Sequence, residues 1–162
     1  VIPQQQDMRL GKNNSYTWLI DILGKIWASP YTFLGLIYGL LGHGSGQLAY
    51  ALGWYAARPE MKMGHNAVQF LDNPLTIPGT AITLGNTISY GKGLAPDHFG
   101  AYGDPTVNLG RHEEAHTWQY QLLGPLFMPI YFICGGVSGP DTNPLEKAAQ
   151  EFGRGTGSWW PW

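Results

Sequence analysis

One stretch of the chain has to be helical if its side chains are to act together: Arg111-His112-Glu113-Glu114-Ala115-His116. On an α-helix, residues i and i+4 lie one turn apart on the same face. Two imidazoles at that spacing can each give one nitrogen to the same metal ion. Glu113 sits beside the first histidine, where its carboxylate can take a proton from a water held at the metal. Glu114 points elsewhere. The surrounding residues support a helix from Asn108 to Leu123, with Ala115, Trp118, Leu122 and Leu123 available for burial and Gly124-Pro125 as its stop.

A hydrolytic zinc site needs a third protein ligand and one open position. Downstream, Asn143-Pro144-Leu145-Glu146-Lys147-Ala148-Ala149 offers Glu146, and Glu151 follows as the reserve. Glu146 has a competing structural use. Asn143 is a natural helix N-cap and Pro144 suits the first helical position, which makes Glu146 the third residue of a capping box. Glu151 can instead pair with Lys147 at i,i+4. His43, His65 and His98 read as turn or surface histidines, and Tyr120 and Tyr131 are the candidate donors to an oxyanion.

The chain divides by texture. Residues 1–16 are polar and irregular and read as a linker or tail, and 17–162 as one domain. Residues 17–29 show helical periodicity, with Pro30 as the boundary. An apolar run, Tyr31 to Leu41, ends at Gly42-His43-Gly44-Ser45-Gly46, and Gln47 to Ala57 reads as a further helix; these are expected to be buried core helices. Ala67–Leu71 and Ala81–Leu84 read as short strands, and Thr87–Tyr90 extends the second. Residues 91–105 form a loop, 126–134 are helix or strand, and 144–152 are a last helix.

Composition sets limits. Of 162 residues, 44% are hydrophobic, so the chain buries a core, while only 12% are charged against about a quarter in an average domain. A surface so poor in charge is one that a partner, a parent protein or a membrane covers. A net charge of -2 argues against nucleic acid as a partner. The single cysteine, Cys134, excludes an internal disulfide and reads as a small buried hydrophobe. The chain opens on Val1 with no charged-then-apolar leader, as a segment of a longer protein would.

With HEEAHTWQ and NPLEKAA read together, the chain resembles the gluzincin-type zincins, most closely over residues 108–152. The metzincin alternative is excluded, because Gln119 and Leu122 stand where that class has Gly and His. The resemblance implies that Glu146, followed by Ala149 in an E-x-x-A pattern, joins His112 and His116 as a Zn²⁺ ligand, with Glu113 as the catalytic base. It implies a zincin-like α+β fold, helices packed on a small twisted sheet, whose edge strand receives an extended peptide; Ala81–Tyr90 is the candidate edge. More widely, GHNAVQF, AITLGNTISY, HEEAHTWQYQLLGPLFMP and NPLEKAA resemble the metallopeptidase extension at the C-terminus of some VgrG spike proteins of type VI secretion. That implies an antibacterial toxin, made in the cytoplasm as part of a parent spike protein and secreted with it. It would cut a peptide or cell-wall amide in the target-cell periplasm and be countered by an immunity protein. The rival expectations are a catalytically inactive metal-binding adaptor and a membrane-interacting toxin.

Overall fold

The computed structural model describes residues 17–162; the expected linker, 1–16, lies outside the described residues. The architecture is α+β. Helix α1 (Thr17–Ala51) leads into strands β1 (Glu60–Gly64), β2 (Ala67–Leu71), β3 (Ala81–Leu84) and β4 (Thr87–Tyr90). Helices α2 (Leu109–Leu123), α3 (Phe127–Ile133) and α4 (Pro144–Arg154) follow. The sheet order is β1-β2-β4-β3, with β2 and β4 parallel and the other pairs antiparallel. β1 and β2 are joined by His65 and Asn66, with φ of 49° and 58°, the two left-handed residues a tight hairpin turn needs. β3 and β4 are joined by Gly85-Asn86, with Gly85 at φ 58°.

The expected edge strand Ala81–Tyr90 is therefore two strands, and only half of it is an edge. β4 is paired on both sides and buried at every residue, while β3 is the outer strand. Alternation along β4 gives the sheet two covered faces. Thr87 lies under α1, close to Gly35, and Ile88 and Tyr90 enter a core with Leu71, Val107 and Leu109. A second core, with Ala28, Tyr120, Phe127, Tyr131 and Leu145, joins the four helices. Residues 126–134 resolve as a short 3-10 turn and α3, with Cys134 half-buried at its end rather than fully buried.

The largest correction concerns the N-terminal third. Pro30 does not end a helix and Gly42–Gly46 do not form a loop: 17–51 is one helix with Pro30 inside it. Its buried stripe is Ala28, Gly35, Gly39, Gly42 and Gly46, with half-buried Gly24 in line with them. These glycines serve close approach, not chain reversal. A Cβ on Gly39 would lie 2.2 Å from the Phe70 ring, and one on Gly42 would lie 1.8 Å from Asn73 Oδ1. Further anchors come from Thr32, whose hydroxyl donates to Ala28 O (3.2 Å) and accepts from Asn86 N (2.9 Å). The expectation of a buried apolar core helix is also overturned. Phe33, Leu34, Ile37, Leu40 and Leu41 face outward and are exposed. No helix among the described residues is long and apolar enough to cross a membrane.

This packing makes two alanine substitutions behave oppositely. Gly44 has nothing within 4 Å of its would-be Cβ, so Gly44→Ala should stabilise by about 0.5–1 kcal/mol through helix propensity. Gly42→Ala makes the same propensity gain but should destabilise by about 1–3 kcal/mol through overpacking against Asn73. Equilibrium urea unfolding separates them; two stabilised variants would contradict the close contact.

Candidate metal centre

α2 begins at Asn108, whose side chain accepts from Arg111 N (2.9 Å), and ends at Gly124. It is buried on most of its surface, including the polar residues Thr117, Gln119 and Gln121, while Leu122, expected to be buried, is exposed. α4 packs along α2, brought close by Ala148 and Ala149, both buried. Asn143 caps α4 by accepting from Leu145 N (3.0 Å), and its amide donates to Gly136 O (2.9 Å). The competition over Glu146 is thereby resolved. Asn143 caps alone, and the Glu146 side chain turns toward α2.

His112, His116 and Glu146 meet there, each almost fully buried. The two Nε2 atoms are 3.3 Å apart. The Glu146 carboxylate lies 3.3 Å from His112 Nε2 through Oε2 and 3.4 Å from His116 Nε2 through Oε1. Oε2 is buried with no hydrogen-bond donor. A buried charged oxygen in that state is costly unless a cation satisfies it. One ligand atom from each residue, all within 4.8 Å of one another, can hold a metal ion. Glu151 is not part of the cluster.

Neighbours orient two of the three ligands, His116 and Glu146, while His112 Nδ1 is buried without a hydrogen-bond partner. Gln119 Nε2 donates to Leu145 O (3.0 Å) and Trp159 O (2.8 Å), so its Oε1 is the atom facing His116 Nδ1 at 2.9 Å. His116 must then carry a proton on Nδ1, which leaves Nε2 as the lone-pair donor of the neutral ring. Tyr131 donates its hydroxyl to Glu146 Oε1. Burial, and next the Glu146 charge, push the Tyr131 hydroxyl upward, so it stays a donor. Tyr120 is buried and donates to Met128 Sδ (3.2 Å), so neither expected oxyanion donor is free of other work.

Glu113 lies 6% exposed in the same wall. Thr83 on β3 donates to its Oε2 at 2.6 Å, which aims the carboxylate and leaves Oε1 to accept a proton. Glu114 points away as expected, to His65 Nδ1 (3.1 Å) and Trp118 Nε1 (3.4 Å). His65 is a turn residue and His98 a loop residue whose Nδ1 accepts from Ala95 N (3.3 Å); His43 lies within α1 rather than in a loop. A cleft of about 740 Å³ opens onto His112, Glu113, His116 and Glu146, with Ala81–Leu84 of β3 along it. Its other walls are mainly apolar, including Phe99, Phe127 and Phe132.

Sequence reasoning missed Thr83, Gln119, the Trp159 carbonyl and Tyr102. Tyr102 lines the cleft, half exposed, with its ring 5.9 Å from that of His112. Burial, then Glu146, raise its hydroxyl. It sits at φ 52°, unusual for an aromatic residue. The only local sign was its setting between Gly100-Ala101 and Gly103.

Metal uptake should depend on pH with a definite sign. Burial opposes a charge on His116, but the Glu146 carboxylate outweighs it and pushes the imidazole from 6.5 up to about 9 in the metal-free protein. Burial also opposes the Glu146 charge, and His116 and His112 nonetheless pull that carboxyl well below its usual range. Because the His116 value is raised on folding and the Glu146 value is depressed, the pair stabilises the metal-free fold fully between pH 4.5 and 6.5; that stabilisation is lost as pH rises through about 9, and declines as pH falls below 4.5. A metal must displace the same proton. Apparent affinity should climb about tenfold per pH unit toward that value, with proton release seen by calorimetry in buffers of different ionisation enthalpy. Affinity independent of pH across this range would contradict the assignment.

No family model, curated protein or solved structure matches the chain.

Proposed function

We propose that the chain is a zinc-dependent metallopeptidase domain of zincin type, hydrolysing a peptide or related amide bond. The observation that carries the reading is the buried triad His112, His116 and Glu146, with the donor-less Glu146 Oε2 at its centre. Zinc is favoured by the ligand set, two imidazoles and one carboxylate. Zinc–ligand bonds of about 2.0–2.2 Å in tetrahedral arrangement separate the ligand atoms by about 3.3–3.5 Å. Two edges of that kind are present, 3.3 Å between the imidazole Nε2 atoms and 3.3 Å from His112 Nε2 to Glu146 Oε2, while it is Oε1 that lies 3.4 Å from His116 Nε2. Bound there, zinc would supply an acidified water and a polarised carbonyl.

The chain's own residues account for the remaining work. Glu113 Oε1 takes the proton from the attacking water and returns it to the departing amine, while Thr83 holds Oε2. Tyr102 is our candidate donor to the oxyanion in place of Tyr120 and Tyr131. β3, an edge strand along the cleft, supports an extended peptide as substrate, and the apolar walls favour apolar side chains beside the cut bond. Delivery on a type VI secretion spike as an antibacterial toxin belongs to the same proposal and rests on the segment resemblance alone. The aimed carboxylate in a substrate-sized cleft favours an enzyme over an inactive adaptor.

The test is hydrolysis of a set of extended peptides with apolar residues by the zinc-loaded protein. Cleavage should stop with a chelator and return with zinc. Absence of cleavage across peptide and peptidoglycan cross-link substrates, with zinc fully bound, would contradict the reading.

A further inference from the structure

Helix α1 has its polarity inside out. Small residues, mostly glycine, make up its buried stripe, while Ile26, Phe33, Leu34, Ile37, Leu40 and Leu41 are exposed. In water, a surface helix turns its large apolar residues inward. Small residues at the protein contact and large apolar ones outward is the arrangement of helices that face lipid, where glycines permit close packing and the outer face meets hydrocarbon.

We propose that α1 seats the protein in the apolar layer of one bilayer leaflet without crossing it, with the sheet and metal cleft held on the aqueous side. The extent of the surface favours lipid over a single protein partner. At 100° per residue, the buried stripe occupies roughly 60° of the helix and the exposed apolar residues spread over roughly 200°. A packed partner covers a stripe of only about 100°. Charge points the same way. Asp21 and Lys25 bond to each other at 2.7 Å at the margin of the arc, so the arc presents no net charge to its surroundings, the complement of hydrocarbon. Trp18, Trp27, Tyr50 and, just past the helix, Trp54 are exposed and add rings of the kind that sit at headgroup level. The surface continues past Trp27, which packs at Gly124, to exposed Leu122 and Leu126. The helix is about 52 Å long, and with its polar side replaced by the domain itself it lies in the membrane plane.

Because the arc has no basic cluster, binding should need no anionic lipid. The test is flotation of the full, metal-loaded chain with phosphatidylcholine vesicles. The wild-type protein should float, with a partition coefficient changed less than twofold by 0.5 M salt. The double variant Leu34→Glu/Leu41→Glu should partition at least tenfold less. Both residues are more than half exposed, so circular dichroism and metal content should match wild type. Its hydrolysis of soluble peptides should also be unchanged, which separates failure of this proposal from failure of the peptidase reading. Wild-type protein that stays with the aqueous fraction, or a double variant that floats equally well, would overturn the proposal. So would a wild-type dimer in vesicle-free buffer that fails to float and that the double variant converts to monomer, since that assigns the face to a second copy.

Discussion

Glu113→Gln is expected to keep its metal and to lose about 10²–10⁴ of kcat/KM, the usual worth of a positioned general base. The substitution is conservative where it matters for folding: an amide oxygen still accepts from the Thr83 hydroxyl that holds Glu113 Oε2 at 2.6 Å. It removes the one property the reaction needs, a carboxylate able to take and return a proton. Metal content, measured by emission spectrometry, should equal wild type, because Glu113 is outside the ligand triad. Activity within tenfold of wild type would remove Glu113 from the reaction. Loss of the metal would make it a ligand instead.

Glu146→Gln is expected to cost more than a hundredfold in zinc affinity. Perturbing the partners behind a ligand typically costs 10–100-fold, and here the ligand itself becomes neutral. Gln119→Leu, which removes the acceptor for His116 Nδ1, should fall within that smaller range. The helix start should be indifferent to Glu146→Gln, because Asn143 alone caps α4. Glu151→Gln, outside the cluster, should be silent. Normal zinc affinity in Glu146→Gln would refute the third ligand, the more so if Glu151→Gln released the metal.

Several features were legible because they are local. An i,i+4 histidine pair in a helical pattern, an Asn-Pro helix start, and short β-branched runs bounded by turn residues depend on neighbours within a few positions. β2, α2 and α4 were found for that reason, and so were the three residues that now meet at one point. What was misread depends on partners far along the chain. Pro30 and the glycines of 42–46 carry a strong local breaking signal, but Gly39 against Phe70 and Gly42 against Asn73 make a continuous helix the arrangement that packs. β1, with the exposed sequence Glu-Met-Lys-Met-Gly, has no periodic signature and exists by pairing with β2. Thr83 looked ordinary because its partner Glu113 lies 30 positions on, and Gln119 because the Leu145 and Trp159 carbonyls that orient it lie 26 and 40 positions on. Splitting 81–90 at Gly85 placed half of the expected edge strand in the middle of the sheet.

We propose one metal ion shared by three side chains from two helices. Anomalous diffraction at the zinc edge, on crystals of zinc-loaded protein, tests it directly. The expected result is a single peak within about 2.0–2.2 Å of His112 Nε2, His116 Nε2 and the Glu146 carboxylate. A peak elsewhere, with His112, His116 and Glu146 bonded only to one another, would contradict it.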